Sequence, residues 1–286
     1  MNVYVILVTH ALLSSGTYLV AKVVVADVEP VTLTLFRAGI AAIALVILAL
    51  YRGTSFSFAK EDRPKIFFLG VLAIPLNQFL FLAAIKHTTP GNAALLFATT
   101  PTLVLLISAF MGHEKLTRLK TLGVITAFAG ILIVIFEKGI DFRSDFMVGN
   151  LLLCVSVAAW ALFTVFGRPM ILKYGAFTTS AAAMILGAMM YLPFSIFNAV
   201  KFHYAILSLA DYSGILYLAL ITSVVMYVLW TYALRKTEAS KVAIFSNLQP
   251  VLTTILAVVL LGQIITPVFI VGGSIALAGV VLTQFG

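Results

Sequence analysis

Residues 80–101, LFLAAIKHTTPGNAALLFATTP, superpose on residues 229–250, LWTYALRKTEASKVAIFSNLQP, at a constant offset of 149. Lys86 matches Arg235, Thr88 matches Thr237, Ala94 matches Ala243 and Pro101 matches Pro250. The same offset carries Gly123, Ala127 and Gly130 onto Gly272, Ala276 and Gly279 without a gap. The match marks an internal duplication, and the earlier parts of the two copies align at an offset near 145.

The composition states where such a chain folds. Of 286 residues, 62% are hydrophobic and 10% charged, against roughly a quarter charged in an ordinary soluble domain. So few charges cannot cover a water-soluble surface of this size, and the surplus of apolar side chains must face lipid. A helix crossing a hydrocarbon core needs about 20 apolar residues, so ten crossings use about 200 and leave no room for a soluble enzyme domain. Apolar runs fall at 3–25, 31–51, 65–86, 91–111, 119–136, 147–167, 177–199, 213–234, 239–261 and 267–285. Proline, glycine or charge marks their edges at Glu29-Pro30, Arg52-Gly53, Thr89-Pro90-Gly91, Glu137-Lys138-Gly139 and Thr266-Pro267. The first run is longer than a signal-peptide core and reads as the first span.

These runs predict an all-α integral membrane protein of ten transmembrane helices, arranged as two five-helix repeats over 1–138 and 139–286. Five is odd, so the second repeat enters the membrane from the opposite side and the repeats are inverted. Inverted repeats create a pseudo-two-fold axis in the membrane plane and allow two halves to expose a central site alternately to each face. With the N-terminus inside, twelve of the 18 Lys and Arg fall in inner loops and five outside, while Arg37 lies within a span. This asymmetry predicts a multi-pass protein of the plasma (inner) membrane with both termini cytoplasmic. The net charge of +8 is then loop charge facing anionic lipid, and no nucleic-acid partner is expected.

Several motifs carry a resemblance. In the first copy these are Leu35-Phe36-Arg37, Asn92-Ala93-Ala94-Leu95-Leu96 leading to Thr100-Pro101, Glu114 after Gly112-His113, and Gly123…Gly130; the second copy supplies Gln249-Pro250 for Thr100-Pro101, Gly262-Gln263 for the Glu114 end, and Gly272…Gly279. The whole chain resembles the EamA family of the drug/metabolite transporter superfamily, with Gln263 standing where the first copy has Glu114. The resemblance implies an exporter of amino acids or other small metabolites, with the third, fourth, eighth and ninth helices near a central cavity.

Polar groups inside spans are costly, so their spacing marks faces turned away from lipid. His10, Ser14 and Thr17, with Tyr18 beside them, form one stripe on the first span; Ser156, Trp160 and Thr164 form another on the sixth. Such stripes either line a cavity or pack on a neighbour. Asn77 and Gln78 follow Pro75 in the third span, and Phe81 comes one turn later; the eighth offers Tyr227 and Trp230, the repeat partner of Phe81. Aromatic walls beside amides suit a small organic solute, whereas the alternative places the rings in interfacial belts. Pro101 and Pro250 are candidate hinges that free the carbonyls of Phe97 and Ser246, placing Thr100 and Gln249 on the same faces.

The candidate substrate-binding set is therefore His10, Ser14, Tyr18, Asn77, Gln78, Phe81, Phe97, Thr100, Trp160, Tyr227, Trp230, Ser246 and Gln249. Arg37 has two readings: a bidentate partner for a substrate carboxylate, or a structural cation snorkelling to carbonyls. His10 is either a proton-exchanging group or a neutral hydrogen-bonding one. Gly123-x3-Ala127-x2-Gly130 and its copy permit close helix approach, either inside the bundle or in a dimer seam, so monomer and homodimer both remain. No Asp or Glu lies deep in a span, which counts against a proton-for-cation pump. The four histidines are scattered and Cys154 is alone, so no catalytic, metal or cofactor constellation is expected. No Gly-x4-Gly-Lys-Ser/Thr run supplies ATP binding. The expectation is a secondary transporter of small metabolites, foremost an amino-acid exporter working by alternating access. The alternatives are efflux of lipophilic or cationic drugs, another metabolite such as a nucleotide precursor, or a membrane protein that moves no solute.

Overall fold

The chain's apolar runs become helices because a lipid environment leaves every backbone N–H and C=O to be satisfied within its own segment. A computed structural model describes residues 3–112, 116–137 and 144–283, apart from the side chains of Ser240 and Ile244; Glu114 and the boundary residues Lys138 and Gly139 lie outside them. The described residues contain helices and no strand. The crossings are α1 (Val3–Asp27), α2 (Pro30–Tyr51), α3 (Lys60–His87), α4 (Pro90–Phe110), α5 (Arg118–Ile135), α6 (Asp145–Tyr174), α7 (Ala176–Lys201), α8 (Leu209–Lys236), α9 (Lys241–Leu261) and the shorter α10 (Pro267–Leu282).

Helix starts follow local chemistry. Thr89, Thr117, Ser144 and Thr266 each accept a hydrogen bond from a backbone N–H of the first turn, and Pro30, Pro90 and Pro267 occupy that turn, where no partner for their missing N–H is needed. Ser208 and Asp211 form a reciprocal capping box at the start of α8. Apolar faces point outward into the lipid region, as with Ile43 and Ile47 on α2 and Phe194 and Phe197 on α7, all exposed at helical spacing.

α5 and α10 cross through their repeated glycines. A Cβ added to Gly130 would collide with the backbone N of Ala276, and one added to Gly279 with the backbone N of Ala127. Gly123 faces Gly279 while Gly130 faces Gly272, so the numbering runs in opposite directions along the seam. Each contact recurs with the roles of the two copies exchanged, as a two-fold axis between Ala127 and Ala276 requires. The axis is perpendicular to both helices and thus lies in the membrane plane. The small-residue stripes are consumed by this internal seam, which decides between the two uses that the spacing allows.

The inversion extends further. Lys22 Nζ donates to the carbonyls of Ile85, Lys86 and Thr88 at 2.9, 3.1 and 2.7 Å, capping the end of α3. In the second copy Arg168 Nε donates to Thr237 O at 3.4 Å at the end of α8, the same arrangement, with the donor at an offset of 146 from Lys22 and the acceptor at 149 from Thr88. α3 and α8 both widen into π-helical turns, over Leu72–Phe79 and Tyr217–Met226. α4 and α9 are both interrupted just before Pro101 and Pro250.

Two apolar cores result, each drawn from both copies. One joins α2, α3, α6 and α7 around Leu45, Leu69, Phe163 and Met184; the other joins α1, α3, α4 and α6 around Val24, Leu82, Leu95 and Leu153. The first core is tied at its end by Asp62, a buried carboxylate that accepts from Lys65 Nζ, Lys173 Nζ and the Tyr174 hydroxyl at 2.7, 2.6 and 2.8 Å. Its repeat partner Asp211 is spent instead on the capping box of its own helix.

Candidate solute-binding site

The polar stripe of α1 is periodic at i, i+4, i+7 and i+8, and the helix turns all four members, His10, Ser14, Thr17 and Tyr18, toward one cavity of about 80 Å³. Arg37 of α2, Asn77 and Phe81 of α3, Phe97 of α4, Trp160 of α6, Thr222, Met226 and Tyr227 of α8, and Gln249 of α9 complete its wall. Seven helices drawn from both copies thus share one site.

Two aromatic groups frame it. Tyr18, Phe81 and Phe97 meet edge to face with ring centroids 5.6–5.9 Å apart. Opposite them, Trp160 lies 5.1 Å from Tyr227 and 5.2 Å from Trp230, while His10 lies 4.9 Å from Trp230. Phe81, Tyr227 and Trp230 are buried inside the bundle, which removes the interfacial-belt reading for them.

Polar side chains hold the frame. The Tyr18 hydroxyl donates to Gln249 Oε1 at 2.6 Å. Asn77 Nδ2 donates to Ser156 O at 3.0 Å, and Ser156 Oγ donates back to Asn77 O at 2.9 Å, clamping α3 to α6. The Tyr227 hydroxyl faces Asn77 Oδ1 at 3.3 Å. Ser14 Oγ lies 3.5 Å from His10 Nδ1. Arg37 is 5% exposed and donates from Nε to Ser223 Oγ at 2.7 Å, so it turns into the bundle and does not snorkel.

Not every residue of the candidate set reaches the cavity. Gln78 is fully buried behind it, between Ser223 and Met184. Trp230 is fully buried and donates from Nε1 to Thr164 Oγ1 at 3.1 Å. The reason lies in the pseudosymmetry: at the offset of 146, the residue corresponding to Ser14 is Trp160, whose ring screens Trp230, whereas its partner Phe81 stays open to the cavity. Thr100 is also withdrawn; its hydroxyl donates to Phe97 O at 2.6 Å, so the carbonyl left by Pro101 already has a partner. Pro101 and Pro250 stand in the first turns of the helical segments that follow the breaks in α4 and α9. Ser246 is buried at the α9 break and does not line the cavity.

Thr17, Thr222 and Met226 line the site without belonging to that set. Thr222-Ser223 is a polar pair inside an apolar run, a signal of the same kind that marked α1. Met226 carries no such signal. Away from the cavity, Gln263 uses both ends of its amide: Oε1 accepts from Gly91 N at 3.2 Å and Nε2 donates to Thr89 Oγ1 at 3.3 Å. Together these bonds tie the end of α9 to the start of α4.

The comparisons with known proteins agree with this architecture. The model of the EamA-like transporter family matches residues 1–136 and again residues 147–285. An uncharacterized transporter of Archaeoglobus fulgidus is 31% identical, covering 96% of each chain. A probable terminal-alkyne amino-acid exporter of Streptantibioticus cattleyicolor is 25% identical over 87% of this chain and 82% of its own length. A solved crystal structure superposes with a TM-score of 0.70 at 19% identity, covering 98% of this chain and 95% of that one. The chain is a multi-pass membrane transporter rather than an enzyme, and it belongs to the EamA-like transporter family.

Proposed function

We propose that the chain is a secondary transporter that exports small amphipathic metabolites, amino acids first among them, by alternating access between its halves 1–138 and 139–286. The observation that carries this reading is the cavity itself, which mixes aromatic rings with polar side chains and is walled by helices of both copies about a two-fold axis in the membrane plane. Its volume of about 80 Å³ is well under the roughly 300–1,000 Å³ of pockets for drug-sized ligands, which favours a small solute. The amino-acid export named for one relative supports the substrate class and the direction. The basic bias of alternate loops supports an inner membrane location with cytoplasmic termini.

Counterflow of a labelled solute panel into proteoliposomes tests the reading. Amino acids or related metabolites are expected to exchange, with saturation and cross-competition. Exchange of lipophilic cations alone, or of no solute, overturns it.

A further inference from the structure

We propose that the cavity sorts its solutes by net charge, anchoring one carboxylate on Arg37, so that affinity falls from net anion to zwitterion to cation. This rests on the reading of the chain as a transporter of small amphipathic metabolites, and within that class it ranks small monocarboxylates with an apolar or aromatic body above the amino acids.

Arg37 has five N–H donors in a fixed plane, and Nε is spent on Ser223 Oγ at 2.7 Å. Among the described residues the two terminal nitrogens have no hydrogen-bond partner, although the side chain is 95% buried and lines the cavity. Ser223 Oγ in turn faces Leu218 O at 3.0 Å and Gln78 Oε1 at 3.3 Å, which fixes its lone pair toward Arg37. Ser223 is thus a positioning residue that leaves the paired terminal nitrogens for a planar carboxylate.

No acid answers this charge. Among the described residues the two buried carboxylates are distant and committed, Asp62 to Lys65 and Lys173, and Asp211 to Ser208. The other titratable groups on the cavity wall are His10, Tyr18 and Tyr227. An uncompensated charge away from water is expensive, and a bound anion removes that expense. A zwitterion adds an ammonium for which the wall offers no carboxylate, and a cation adds like charge. In the second copy the position of Arg37 is taken by Ala182, at the offset of 145, so the site holds one cation and takes one carboxylate.

Two isosteric series test this on the purified full-length protein at pH 7: 3-phenylpropanoate, phenylalanine and phenethylamine; and 4-methylpentanoate, leucine and 3-methylbutylamine. Thermal stabilisation is titrated with each. At least one acid is expected to half-saturate at a concentration tenfold or more below its amino acid, and the amines not to stabilise. Arg37→Gln abolishes the preference and Arg37→Lys keeps part of it; Ser223→Ala weakens acid binding several-fold, and Ser223→Thr restores it. An amino acid or amine that binds as tightly as its acid in both series overturns the proposal even if every variant fails to fold, as does an acid affinity unchanged in Arg37→Gln. Arg37-dependent acid binding with no counterflow of any solute would leave this assignment standing and defeat the transporter reading alone.

Discussion

The Tyr18 hydroxyl and the Gln249 side-chain carbonyl, 2.6 Å apart, join α1 of the first copy to α9 of the second at the cavity wall. Both residues are buried, so each loses its partner's hydrogen bond when the other is truncated. A neutral hydrogen bond contributes about 1 kcal/mol, or roughly fivefold in an equilibrium constant. Tyr18→Phe and Gln249→Leu should each lower flux about fivefold, and a double-mutant cycle on thermal melting should show about 1 kcal/mol of coupling. Additive effects of the two substitutions would dissolve the link.

Trp230 behaves differently from the lining rings because it is structural. Trp230→Ala removes a fully buried indole packed on His10 and Trp160 and bonded to Thr164, and is expected to destabilise by about 3–5 kcal/mol. Loss of monodispersity on size exclusion and a lowered melting temperature are the readouts. Phe81→Ala opens onto the cavity, so it should cost less stability and more transport.

The seam between α5 and α10 makes a sharp prediction about two adjacent glycines. A Cβ on Gly272 would stand 2.7 Å from Val134 Cγ2 and 3.0 Å from Gly130 O, whereas on Gly273 the nearest atom is Leu95 Cδ2 at 3.4 Å. Gly272→Ala should destabilise by about 1–3 kcal/mol through overpacking, and Gly273→Ala by well under half of that. Comparable melting temperatures for the two variants would contradict the close approach.

Orientation is testable with single cysteines in a Cys154→Ser background. Lys60 and His203 are both exposed, in connections predicted to lie on opposite faces. A membrane-impermeant thiol reagent applied to intact cells should label His203→Cys and leave Lys60→Cys unlabelled until the cells are opened. The reverse pattern would place the termini outside.

Much of the candidate site is visible in the order of residues, and the misses have a common cause. His10, Ser14 and Tyr18 could be assigned to one face because a helix fixes their mutual angle, whatever surrounds it. Gln78 and Trp230 could not be separated from Asn77 and Phe81 in this way. Whether a side chain reaches the cavity depends on the bulk of a residue on another helix, Trp160 against its counterpart Ser14, and on which group a distant amide pairs with, Ser223 in the case of Gln78. The spacing to Pro101 predicts a free carbonyl at Phe97, but its neighbour Thr100 supplies the missing donor locally.

The sequence by itself determined the number and order of crossings and the inversion of the second copy. These follow from apolar run length, from helix-start chemistry such as Thr266-Pro267 and from an ungapped offset of 149, all properties of the chain as a line. Only the tertiary structure decided that the glycine stripes meet inside the bundle and that Arg37 turns inward onto Ser223 without an acid beside it. Those outcomes depend on which helices become neighbours and how each is rotated, because close packing and the pairing of buried polar groups are settled between segments far apart in sequence.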